Sequence, residues 1–140
     1  MSETKTSPTE NGARAESRYI SCTIDNNSTA YWTVKESNLS MGKWLDDNTP
    51  NNILVDSNNV NFVASGRANT PSGCEGYIIW QSDSYAAELK MSFECPYGFR
   101  ASTFDVTITG EGAGMYNVTQ KDFDSDKKGH DPIVTITSMG

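Results

Sequence analysis

Two short segments set aromatic, cationic and turn-forming residues side by side. The first is Asn38-Leu39-Ser40-Met41-Gly42-Lys43-Trp44, where a large aromatic and a cation follow a turn glycine. The second is Phe93-Glu94-Cys95-Pro96-Tyr97-Gly98-Phe99-Arg100, which interrupts an alternating strand pattern with proline and glycine and then displays Tyr97, Phe99 and Arg100 together. Tyrosine and tryptophan combine an apolar body with a polar tip, so they suit the boundary between water and lipid. A guanidinium beside them can hold a phosphate through paired hydrogen bonds. Aromatic faces can hold a choline or ethanolamine cation at roughly 0.5–2 kcal/mol. Together these groups can read a zwitterionic headgroup without net positive charge. On pattern alone this reading stands level with one in which Trp44 and Tyr97 cap the ends of the core.

Other chemistry is poorly supplied. His130 is the single histidine, set in the polar run from Asp124 to Asp131 without a nucleophile-elbow signature, and it reads as an exposed loop histidine. Cys22, Cys74 and Cys95 offer no C-x-x-C pair for zinc. Asp122, Asp124 and Asp126 alternate as calcium-loop carboxylates do, but Lys127 and Ile133 occupy the places where a helix-loop-helix site needs glycine and glutamate. A solvated turn is the expectation there. No acid/base pair or nucleophile site is assembled, so the chain reads as a non-enzyme with no cofactor.

The elements that must position the two segments are strands. Ile20, Cys22 and Ile24 alternate with Ser21 and Thr23, and Ala30, Trp32 and Val34 alternate with Tyr31 and Thr33. Asp25-Asn26-Asn27-Ser28 lies between these runs and reads as a hairpin turn. Val60, Phe62 and Ala64 share a face. Tyr77 to Gln81 is apolar on both faces, as in a central strand, and Ala87, Leu89, Met91 and Phe93 give a clean period of two. Phe104, Val106 and Ile108 follow, then Gly110 to Gly114 as a further hairpin turn, and Met115 to Gln120 and Ile133 to Thr137 add two more strands. Many short strands separated by turn signals, with no sustained helical period, predict an all-β, single-domain antiparallel β-sandwich. Cys22 falls on an inward position as a buried thiol. Cys74 and Cys95 can be free or paired.

The 140-residue length suits one domain, expected over residues 18–140 behind a disordered polar arm at 1–17. A net charge of −7 argues against nucleic acid and against polybasic docking on anionic lipid. No apolar run is long enough for a spanning helix, and residues 1–17 lack the apolar stretch of a secretory signal. The chain is therefore expected to be made in the cytoplasm and released by lysis or an unconventional route.

Three stretches carry a resemblance to a known family. Asn38 to Trp44 resembles the aegerolysin segment in which a tryptophan precedes Gly-Lys and an aromatic. Ala64-Ser65-Gly66-Arg67-Ala68, running on through Ser72-Gly73-Cys74-Glu75-Gly76, is similar to that family's small-Gly-Arg segment. Glu94-Cys95-Pro96-Tyr97-Gly98 resembles its Asp-Cys-Pro-Trp-Gly signature. All three occur in the family's order and at about its spacing, and the likeness runs from Arg18 to Gly140.

The resemblance implies a β-sandwich that recognises membrane lipid of the sphingomyelin/cholesterol or ceramide phosphoethanolamine type. It also implies recruitment of a larger membrane-attack-complex/perforin-like protein. The Ser-Gly-Arg-Ala and Cys-Glu-Gly spellings look closer to the bacterial branch, which includes small components of binary insecticidal proteins. The family's lipid-contact tryptophan falls on Tyr97 and its following cation on Arg100. The tryptophan before Gly-Lys falls on Met41, and a glutamate tied to sterol-dependent selection falls near Ser72, which cannot act as a carboxylate.

The expectation is a lipid-binding subunit of a two-component pore-forming cytolysin, acting at a target-cell membrane through Met41, Lys43, Trp44, Tyr97, Phe99 and Arg100. The alternative is a lectin-like carbohydrate-binding module without a pore-forming role.

Overall fold

Period-two alternation becomes two packed sheets in the computed structural model, which describes residues 18–67, 72–127 and 129–139. The arm expected at residues 1–17 lies outside the described residues. One sheet holds β1 (Tyr19–Asn27), β3 (Lys43–Trp44), β4 (Val60–Ser65), β8 (Tyr116–Lys121), β9 (Gly129–His130) and β10 (Ile133–Ser138). Its order is β3-β4-β1-β10-β8, with β9 also pairing with β1. The other sheet runs β2 (Trp32–Met41), β5 (Cys74–Ser82), β6 (Glu88–Cys95) and β7 (Thr103–Thr109), in the order β2-β5-β6-β7. Pairing is antiparallel throughout except that β9 and β10 both run parallel to β1. Among the described residues no helix is long and apolar enough to cross a membrane.

The inward faces form one core. Along β1 the buried Ile20, Cys22, Ile24 and Asn26 alternate with half-buried neighbours, and along β6 the buried Leu89, Met91, Phe93 and Cys95 alternate with half-buried or exposed ones. β5, the strand expected to be central, is flanked by β2 and β6. Trp32 and Trp80 are the largest fully buried side chains. Each buried indole N–H finds an acceptor, Trp32 at Ser28 Oγ (3.3 Å) and Trp80 at the Asn51 carbonyl (2.8 Å). Full burial of a Phe or Ile here stabilises by about 1.5–3 kcal/mol.

Two expected hairpin turns are instead crossovers between sheets. The segment from Asp25 to Ser28 carries the chain from β1 to β2, which lie in opposite sheets. Asn26 is buried there, its amide donating to the carbonyls of Ala30 and Leu54 at 2.9 Å each, while its own oxygen accepts from Ser28. Likewise Gly110 to Met115 leads from β7 to β8 in the other sheet, with a single 3-10 turn at Ala113–Met115. Turn composition marks a reversal, but it does not say whether the next strand pairs with the last or crosses the core.

A third crossover shapes the site. Met41 ends β2 in one sheet and Lys43 begins β3 in the other, with Gly42 at the corner. Gly42 has φ of +93°, and a Cβ there would stand 2.5 Å from the Ser65 carbonyl oxygen and 2.8 Å from Cys74 Cβ. Only glycine turns this corner so close to β4 and β5.

His130 is not an exposed loop residue. It is 2% exposed, paired opposite Ile20 through β9 and stacked on Phe123 with ring centroids 4.6 Å apart. Its polar sequence neighbours hid this, because a two-residue strand is too short to leave a periodic signal.

Candidate functional site

The second of the two segments leaves the end of β6. Pro96 is buried and cannot donate to a ladder, so pairing stops and the chain swings outward. Gly98 follows with φ of +100°, a left-handed turn that an L side chain rarely adopts. On either side of that turn Tyr97 is 54% exposed and Phe99 fully exposed. Arg100 is exposed as well, and its guanidinium donates to the Glu94 carboxylate at 2.5 Å. The ion pair bridges the base of the loop and fixes where the guanidinium sits.

A cavity of about 380 Å³ opens beside this loop, lined by Met41, Ser72, Gly73, Glu94, Tyr97 and Arg100, with Pro96 at its base. Its walls come from β2, from the segment entering β5 and from the loop after β6. Of the residues singled out in the sequence, Met41, Tyr97 and Arg100 converge on this cavity. Phe99 projects into solvent next to it. Lys43 is half-buried opposite Ser65 on the β3–β4 pair. Trp44 turns away from the cavity and packs on the core, edge-on to Phe62 and Phe93 with centroids 6.1 Å apart in both cases. The reason is the Gly42 corner, after which the alternation of β3 belongs to the other sheet.

Two site residues escaped the sequence reading. Arg18 lays its guanidinium over the Tyr97 ring, 4.6 Å from the centroid. It precedes the first strand and touches the loop only through the fold, so nothing local marks it. Glu94 was in view as part of the signature, and its spacing of six residues from Arg100 was the available signal. A second, smaller cavity of about 320 Å³ lies on the outer face of the four-stranded sheet. Asn38, Glu75, Tyr77, Lys90 and Ser92 line it, and Glu94 lines both cavities.

Beneath the loop sit Cys74 and Cys95, buried free thiols directly opposite each other across β5 and β6. The Cys74 thiol donates to the Ala64 carbonyl at 3.7 Å, and its proton is held tightly, first by the neighbouring Cys95 and then by burial. The Cys95 thiol donates to the Tyr19 carbonyl at 3.8 Å, and it is the more acidic of the two because Cys74 and then His130 stand beside it. Neither His130 ring nitrogen has a hydrogen-bond partner in the structure. Among the described residues no group of three or more His, Cys, Asp or Glu side chains is placed to hold a metal ion. The segment with Asp122, Asp124 and Asp126 is an exposed turn in which Asp124 accepts from the Asp126 amide at 2.9 Å.

Solved structures with this fold are found at low sequence identity. RahU protein in complex with a TRIS molecule superposes with a TM-score of 0.76 at 14% identity, over 90% of this chain and 98% of its own. IP-1A from Alcaligenes faecalis gives 0.69 at 18% identity, over 91% and 95%. The lipid binding protein Nakanori gives 0.69 at 12% identity, over 94% of this chain and 75% of its own. No curated protein matches this chain in sequence. The family model for aegerolysins matches residues 17–137, nearly the whole chain, and the protein belongs to the aegerolysin family.

Proposed function

We propose that this protein binds membrane lipid through the loop after β6, with Tyr97, Phe99, Arg100 and Met41 as the contact face, while Lys43 and Trp44 stay with the β3–β4 pair and the core. The observation that carries this reading is the convergence of Met41, Tyr97 and Arg100 on one cavity, with the fully exposed Phe99 at its edge. With the exposed Tyr97 and Met41, the Phe99 ring adds to an apolar cluster of the kind that marks a membrane or partner surface. Arg100 offers a planar fork to a lipid phosphate. With a net charge of −7 the protein cannot rely on its mean field to reach a membrane, so a local site of this kind is required. Family membership supports the reading, as does the likeness to a structure described as a lipid binding protein.

The finer reading is a sphingolipid-type headgroup, either sphingomyelin with cholesterol or ceramide phosphoethanolamine. In this proposal the protein is the lipid-recognising subunit of a two-component pore-forming cytolysin, possessing insecticidal action in its bacterial setting. After release it marks a target-cell membrane for a larger perforin-like partner. Alone it should bind vesicles without making them leak; leakage should need the partner. Co-sedimentation with vesicles of sphingomyelin and cholesterol, and of ceramide phosphoethanolamine and cholesterol, tests the lipid step. Binding that requires a glycan and ignores both sphingolipids would instead favour the carbohydrate-binding alternative.

A further inference from the structure

The two cavities meet at a single side chain. Glu94 lines both, and it is 27% exposed where its partner Arg100 is 71% exposed. Directly across the β5–β6 ladder from Glu94 stands Glu75, so two carboxylates occupy a cross-strand position where like charges destabilise. Arg100 offsets that repulsion through its 2.5 Å contact with Glu94. Any phosphate that takes Arg100 competes with Glu94 for the same guanidinium. If the phosphate arrives alone, Glu94 loses its guanidinium while it still faces Glu75, and the like-charge repulsion across the ladder returns. A headgroup that also carries an ammonium replaces both halves of the pair at once.

We propose that Glu94 sets the charge selectivity of the site: it holds Arg100 before a headgroup binds and receives the headgroup ammonium once the phosphate engages Arg100. A headgroup bearing both charges is admitted and a purely anionic one is refused. The inference rests on the lipid-binding reading above and adds to it a residue that discriminates by repulsion as well as attraction.

The test compares binding of the full chain to two sets of vesicles, sphingomyelin with cholesterol and phosphatidylglycerol with cholesterol. Wild type should prefer the first by more than about tenfold, and Glu94→Gln should shrink that ratio to about threefold or less, mainly by gaining affinity for phosphatidylglycerol. Glu94→Asp keeps the charge and should keep the preference, which guards against a folding defect at this position. Glu111→Gln removes the same charge at the other end of the sandwich and should leave the ratio as in wild type. If Glu94→Gln keeps the wild-type ratio, or Glu111→Gln shifts it equally, the role of Glu94 is overturned while lipid binding stands. If wild type binds neither of these nor vesicles of ceramide phosphoethanolamine with cholesterol, the lipid reading falls and this inference with it.

Discussion

Cys74 and Cys95 stand opposite each other across β5 and β6, at the strand ends from which two walls of the cavity emerge. Ser72 and Gly73 lead into the first cysteine, and Pro96 and Tyr97 lead out of the second. The exposed loop is therefore rooted in a fully buried pair, and a rigid element presents the site. Gly73 shows how tight that root is, since a Cβ at this position would lie 2.0 Å from the Cys95 carbonyl oxygen.

Gly73→Ala should therefore cost about 1–3 kcal/mol of stability, because backbone atoms must move to make room. It should weaken vesicle binding too, by shifting Pro96 and Tyr97. Urea unfolding and vesicle co-sedimentation of the same variant check both effects. A variant as stable as wild type would show that the two segments are free to separate.

Trp44 separates core from contact. Its edge-on packing against Phe62 and Phe93 predicts that Trp44→Ala loses about 3 kcal/mol in denaturant unfolding. Vesicle binding per folded molecule should change much less than it does on losing Tyr97. A variant with unchanged stability and abolished binding would move Trp44 to the membrane face.

Cys22 gives a pH dependence. Burial pushes its thiol above the ordinary value of 9.0, so in the folded protein it stays protonated while in the unfolded chain it ionises. A raised folded-state value means the contribution is intact below pH 9.0 and shrinks as pH climbs past it. The loss is about 1.4 kcal/mol for each further pH unit. Unfolding free energies measured across the alkaline range should fall less steeply for Cys22→Ala than for wild type. Equal slopes would mean that the Cys22 thiol is not shielded.

Much of the sandwich was legible because its signal is local. Alternation along Ile20 to Ile24 and along Leu89 to Phe93 identifies the inward face without knowing any partner strand. Which strands pair is non-local, so the crossovers at Asp25–Ser28 and Gly110–Met115 looked like hairpins, and the parallel β1–β10 pair left no mark. The site divides the same way. Tyr97, Phe99 and Arg100 share one loop and could be seen together, as Glu94 could have been. Arg18 reaches Tyr97 from 79 positions away in the chain, 97 − 18, and only the folded molecule joins them. Trp44 was ambiguous for a related reason: a half-buried ring beside a corner glycine carries the same local sequence whether it faces lipid or core.

The most direct test of lipid binding is co-sedimentation of Tyr97→Ala/Arg100→Ala with sphingomyelin–cholesterol vesicles, read beside its thermal midpoint. Both side chains are largely exposed, so the midpoint should fall by no more than the few degrees that leaving Glu94 unpaired opposite Glu75 costs. Binding should be lost. A double mutant that is folded and still binds as wild type does would contradict the account and place the lipid site elsewhere on the sandwich.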